Sequence, residues 1–176
     1  MALLRYAADK WPARKAITDD DGSCTYRTLY RKATAFGGML HTQLGMGRGN
    51  RVAVMCRNHM GLVRAIFAVA QTGAHLYLIN ADMSAAQIGK LCADNRIDLV
   101  IADDEFEGKL VQSGFDGQIV PADAEVADRT TNSTIRVRGG NIVVLTGGTT
   151  GQHKTAARRP GIMRFVPPFC ALLSGA

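Results

Sequence analysis

RVAVMCRNHMGLVRAIFAVAQTGAHLYLI, residues 51–79, carries the pattern that decides the fold. Arg51-Val52-Ala53-Val54-Met55-Cys56 is an apolar run bounded by polar residues, the mark of a strand covered on both faces. The period then changes. From His59 to Gln71, Leu62, Ile66 and Val69 fall on one helical face, and Gly73 stands just past the end, where helices commonly stop. Leu76 to Ile79 is a second short apolar strand. Strand, helix, strand with short connections predicts parallel strands joined by a crossover helix.

The alternation continues toward the C-terminus. Ser84 can cap a helix reaching about Asn95, Leu99 to Ala102 reads as a third strand, and Glu105 to Gln112 as a short helix. Ile119-Val120 is a weak fourth strand. Toward the N-terminus, Ala2 to Lys10 predicts a short helix stopped by Trp11-Pro12. Lys15 to Thr18 and Ser23 to Tyr26 flank Asp19-Asp20-Asp21-Gly22 and predict a short hairpin. Thr25 can cap the helix that follows, on which Leu29, Ala33, Phe36, Leu40 and Leu44 share one face up to Gly45 and Gly47. The expected architecture is α/β: a parallel sheet flanked by helices, with a short N-terminal hairpin.

Residues 122–140 are polar, rich in Thr, Ser and Asn, and read as a connecting loop. Ile142 to Leu145 returns as a buried strand, and Phe165 to Leu173 is an apolar, proline-broken tail. There are no internal repeats.

With 176 residues, 47% apolar and 20% charged, the chain suits one domain or part of a larger one, and whole-chain disorder is excluded. Cys24, Cys56, Cys92 and Cys170 are far apart, which fits reduced thiols in a cytoplasmic protein better than a zinc site or a disulfide framework. The most apolar stretch, Leu62 to Ile79, includes Arg64, Gln71, Gly73 and His75, so no transmembrane segment is expected. The formal charge of +6 is uneven: beyond Asp128 there is no carboxylate, while Arg129, Arg136, Arg138, Lys154, Arg158, Arg159 and Arg164 are all cations. Such an end can attract nucleic acid, membrane headgroups or the phosphates of a small nucleotide.

One stretch carries chemistry. In Leu145-Thr-Gly-Gly-Thr-Thr-Gly-Gln-His-Lys-Thr155 a strand ends and a loop with three glycines, several threonines and one lysine begins. Glycines let backbone N–H groups approach an oxyanion closely, threonine hydroxyls add donors, and Lys154 adds a mobile cation. All of this suits a polyphosphate. The P-loop pattern fails, because His153 stands where that motif needs glycine before the lysine. Without a ligand the same stretch is a strand-to-helix turn.

The loop resembles the signature Thr-Ser-Gly-Thr-Thr-Gly-x-Pro-Lys-Gly of the AMP-forming adenylate-forming enzymes, the acyl-CoA synthetase superfamily. Thr146, Gly148, Thr149, Thr150, Gly151 and Lys154 match, whereas Gly147, His153 and Thr155 replace serine, proline and glycine. Further resemblances follow the family's order: Thr25-Tyr26 to Leu29, Gly49-Asn50-Arg51-Val52, and the passage from Ala65 to Asn80. Together they cover roughly residues 2–160.

The resemblance implies that residues 1–176 are a partial AMP-binding N-terminal domain of the adenylate-forming ligase fold, with 141–155 its strand and phosphate-binding loop. It implies ATP with Mg2+, a carboxylic acid (by frequency a fatty acid) and coenzyme A as substrates. Thr146, Gly147, Gly148, Thr149, Thr150, Gly151 and Lys154 would hold the ATP phosphates. The family's Thr-Glu stretch, ribose-binding Asp and catalytic Lys are expected beyond this chain, so no catalytic residue and no metal ligand are assigned within it. Two alternatives rank lower. One is a stand-alone nucleotide-binding module or non-catalytic remnant. The other is a basic nucleic-acid binder, disfavoured because Phe165 and Phe169 are the only aromatics in the cationic end. His41, His59 and His75 lack metal-ligand spacing and read as ordinary helix or core-edge residues. Asp19 to Asp21 is explained by the hairpin turn, and Arg158-Arg159 by a solvated pair.

Overall fold

The computed structural model describes residues 2–126, 140–146 and 154–158. Helix α1 (Ala2–Lys10) leads into a hairpin of β1 (Lys15–Asp19) and β2 (Gly22–Thr25), then helix α2 (Tyr26–Thr42). Thr25 is the cap its sequence position predicts: its Oγ1 accepts from the Thr28 N–H at 3.2 Å. Helix α2 ends before Leu44, so the last residue of the expected apolar face lies beyond the helix. It still packs against the core.

Strand β3 (Arg51–Met55), helix α3 (Met60–Thr72) and strand β4 (His75–Leu78) form the expected crossover unit. Gly73 takes a φ of 82° at the end of α3, a left-handed conformation in which a side chain would be strained. Helix α4 (Ala85–Asn95) starts with a reciprocal cap between Ser84 and Gln87. Strand β5 (Leu99–Ala102), a 3-10 turn (Asp104–Phe106), helix α5 (Glu107–Gln112) and strand β6 (Gln118–Pro121) follow. Two further strands, β7 (Ile142–Thr146) and β8 (Lys154–Arg158), bring the sheet to six strands among the described residues, in the order β6-β5-β3-β4-β7-β8. The first five strands in that order are parallel, and β8 is antiparallel to β7.

Alternation along the central strands divides the core in two. Val52, Val54, Leu76, Leu99 and Ile101 face Phe36 and Leu40 of α2 and Ala65, Ala68 and Val69 of α3. Ala53, Met55, Val100 and Ala102 face Ile88 and Leu91 of α4 and Leu110 of α5. A third cluster, Leu4, Cys24, Leu29 and Ala33, fastens α1 and the hairpin to α2. The parallel sheet covered by helices on both faces and the N-terminal hairpin are as expected.

No element is expected after the glycine-rich stretch, yet Lys154–Arg158 is a strand paired with β7, so the ligand-free alternative of a strand leading straight into a helix does not hold. Within the expected loop 122–140, residues 122–126 and 140 have no helix or strand. Residues 127–139, and the tail Phe165 to Leu173, lie outside the described residues.

Candidate active site

Parallel strands deliver all their C-terminal ends to one edge of a sheet, and open α/β sheets bind ligands there. Here β3 lies between β4, which follows it in sequence, and β5, which comes after β4. The chain therefore reverses direction across the sheet at the crevice between β3 and β5. The residues just past these two strands are Cys56, Arg57 and His59, and Asp103 and Glu105.

They form one connected network. Asp103 Oδ2 accepts the Arg57 N–H at 2.7 Å, and Asp103 Oδ1 lies 2.9 Å from His59 Nε2. His59 Nδ1 accepts the Gly61 N–H at 3.0 Å, capping α3. An acceptor cannot carry a proton, so the proton sits on Nε2 and is donated to Asp103. Both ring nitrogens are thus occupied, which leaves His59 no lone pair for general-base work. The Arg57 guanidinium grips Glu105 through Nε and Nη2 at 2.9 and 3.1 Å and lies over the Phe106 ring. That hydrogen bonding, with its charge, holds the Glu105 carboxyl below its ordinary value. Burial first, then neighbouring Asp103, pushes the Cys56 thiol well above the usual range, so it is a poor nucleophile.

The hairpin is tied to the same edge. Asp19 Oδ2 accepts the Met60 N–H at 2.8 Å, so this carboxylate serves the first turn of α3. A cavity of about 420 Å³ opens between hairpin, α2 and α3, lined by Asp19, Thr28, Lys32, His59, Arg64 and Asp123 among others. Arg64 stacks over Phe36 at 4.7 Å and donates to the Ala122 carbonyl, with burial lowering its pKa. Among the described residues no group of three or more His, Cys, Asp or Glu could hold a metal ion.

Of the sequence-predicted phosphate residues, Thr146 ends β7 and Lys154 begins β8, and their Cα atoms are cross-strand partners. Gly147, Gly148, Thr149, Thr150 and Gly151 lie between them, outside the described residues. Strand β7 pairs with β4 through Leu78 and Val144, so its C-terminal end is at the same sheet edge as the β3–β5 crevice. The entry to β7 requires glycine: a Cβ on Gly140 would overlap the Ala74 carbonyl oxygen. The His59–Asp103 pair, 2.9 Å apart, was not read from the sequence. The only available signal was that each residue comes within a few positions after an apolar strand. His41 and His75 are ordinary, bonded to the Met46 carbonyl and the Asn141 N–H.

Known proteins share this fold. Residues 4–159 match the family model of the AMP-binding enzyme family. A 2-succinylbenzoate–CoA ligase of Bacillus anthracis is 26% identical over 151 residues, 86% of this chain and 31% of the relative. The chain thus spans about a third of the length of that curated relative. The O-succinylbenzoate coenzyme A synthetase of Bacillus subtilis, solved with AMP, superimposes with a TM-score of 0.76 at 21% identity, covering 98% of this chain and 46% of that one. A Mycobacterium tuberculosis fatty acyl CoA synthetase gives a TM-score of 0.76 at 20% identity, covering 90% of this chain and 34% of that one. At these identities the structural likeness establishes the fold alone. The family match runs from the first helix to the last described strand and takes in the whole glycine- and threonine-rich loop, so this chain belongs to the AMP-binding enzyme family.

Proposed function

We propose that this chain is the N-terminal, phosphate-gripping part of an AMP-forming acid–CoA ligase. The observation that carries the reading is the family match across residues 4–159, which includes the loop from Thr146 to Lys154. In this reaction class a carboxylate oxygen attacks the α-phosphorus of Mg·ATP, and the bond to the β-phosphate oxygen breaks to release pyrophosphate. A CoA thiol then attacks the acyl carbon, loses its proton and expels AMP.

In this reading Gly147, Gly148 and Gly151 let the backbone approach the β- and γ-phosphates. Thr146, Thr149 and Thr150 donate hydroxyl hydrogen bonds, and Lys154 supplies the cation. The β7–β8 ladder supports it by holding Thr146 opposite Lys154, the two ends of that stretch. Fixed donors suit a leaving pyrophosphate, whose negative charge grows as the bond breaks. No group that makes or breaks the acyl bond is assigned to this chain. His59 and Cys56 are unsuited to such a role by their hydrogen bonding and burial.

For the acid, the matching relative is named for 2-succinylbenzoate, whereas the fatty-acid expectation has fold-level likeness alone behind it. We therefore propose a carboxylic acid substrate with 2-succinylbenzoate as the first compound to try. No described helix is long and apolar enough to cross a membrane, and we place the reaction in the cytoplasm, where ATP and CoA are supplied. The test is ATP–pyrophosphate exchange by the full reading frame that contains this chain, with 2-succinylbenzoate, short acids and fatty acids. Acid-dependent exchange supports the ligase reading and names the acid. No exchange with any acid, alongside intact Mg·ATP binding, would reduce it to a nucleotide-binding module.

A further inference from the structure

Helix α1 buries Leu4, Ala7 and Ala8 and leaves a second apolar face in solvent. Leu3, Tyr6 and Trp11 are 56%, 54% and 41% exposed, and they are three of the four large hydrophobic residues exposed among the described residues. Their clustering on one short helix and its end is unlike the scattered exposed apolar residues of an ordinary surface. The two rings meet edge to face at 6.0 Å. Lys10 Nζ lies 5.0 Å from the Trp11 ring centre and donates to the Tyr6 hydroxyl at 3.0 Å. Exposed Arg5, Arg14 and Lys15 add three more cations, and the one carboxylate among these first fifteen residues, Asp9, is paired with Arg5.

We propose that this face docks on the surface of an anionic phospholipid bilayer. Tryptophan and tyrosine settle at the headgroup level because each has an apolar body and a polar edge. Leu3 supplies an aliphatic contact, and Lys10 between the rings, with exposed Arg14 one turn past Trp11, matches lipid phosphates. A symmetric contact with a second copy fits the patch less well, because it would set Lys10 and Arg14 against their own copies. The inference does not depend on the nucleotide reading.

Trp11 is the only tryptophan in the chain, so its fluorescence reports on this patch alone. The full chain is titrated with phosphatidylglycerol vesicles and with phosphatidylcholine vesicles. The expected result is a blue shift with phosphatidylglycerol only, reversed by salt, since exposed charges are screened within about 8 Å at physiological ionic strength. Lys10→Glu should weaken binding about tenfold or more, and the double variant Leu3→Ser, Tyr6→Ser should abolish the shift while the far-ultraviolet circular dichroism stays unchanged. No shift, or equal shifts with both lipids, would overturn the proposal. So would a blue emission without vesicles that grows with protein concentration, which would assign the patch to a second copy.

Discussion

Thr146 and Lys154 stand directly opposite one another in the β7–β8 ladder, with residues 147–153 between them in the chain. The pairing ties both ends of that stretch to a sheet whose central strand β3 carries the buried Val52, Ala53, Val54 and Met55. The position of these two residues therefore depends on how β7 docks against β4. A change that shifts β7 should disturb the proposed phosphate site without altering any residue assigned to it.

Gly140→Ala is such a change, because the new methyl would collide with the Ala74 carbonyl. Overpacking of this kind costs about 1–3 kcal/mol. The variant should show a lowered urea midpoint and weaker Mg·ATP binding together. Unchanged stability and binding would mean that the close approach is not needed to place β7.

His59→Ala removes the cap of α3 and leaves Asp103 Oδ1 without its partner. The expected loss is about 1–3 kcal/mol in equilibrium urea unfolding. His59→Asn should recover part of it, since asparagine is a good N-cap. A loss below about 0.5 kcal/mol, the range of an ordinary surface change, would rule out the network as a structural anchor.

Acid should reveal the Arg57–Glu105 pair. Its folded-state carboxyl lies below the ordinary value, so its stabilisation is complete above the unfolded pKa of about 4.3 and is lost as pH falls through the folded value. Wild type should therefore lose more stability between pH 6 and pH 2 than Glu105→Gln does. The difference should shrink in high salt, because both side chains are exposed. An identical acid response in both proteins would contradict the assignment.

Thiol labelling tests the burial of the cysteines. Burial raises Cys24 and Cys56, and pushes Cys92 up to about 11. At pH 8 all three should resist iodoacetamide in the native protein and react fully in urea. Rapid native labelling of Cys56 would show that the β3 edge opens readily.

Most of the sheet was legible because its strands are buried on both faces and so appear as continuous apolar runs, as in Val52 to Cys56 and Leu99 to Ala102. Helix starts were legible through Thr25 and Ser84, whose side chains bond backbone groups only three residues away. Strand β8 was not. Lys-Thr-Ala-Ala-Arg has one β-branched residue and no apolar alternation, and among the described strands it pairs with β7 alone. The His59–Asp103 contact was hidden for a different reason. The two residues are far apart in sequence and meet because β3 and β5 are neighbours, an order that follows from the crossover and not from either segment. The matched loop residues Thr146 and Lys154 were read by resemblance, and the ladder brings those two together.

In the proposed function the stretch from Thr146 to Lys154 holds the phosphates of ATP. Isothermal titration of Mg·ATP into the wild-type chain and into Lys154→Ala reads this out. Removing a charge-assisted contact should weaken binding about 10- to 100-fold, with Lys154→Arg retaining part of the affinity. Equal affinity in wild type and Lys154→Ala, or no binding by wild type at millimolar Mg·ATP, would contradict it.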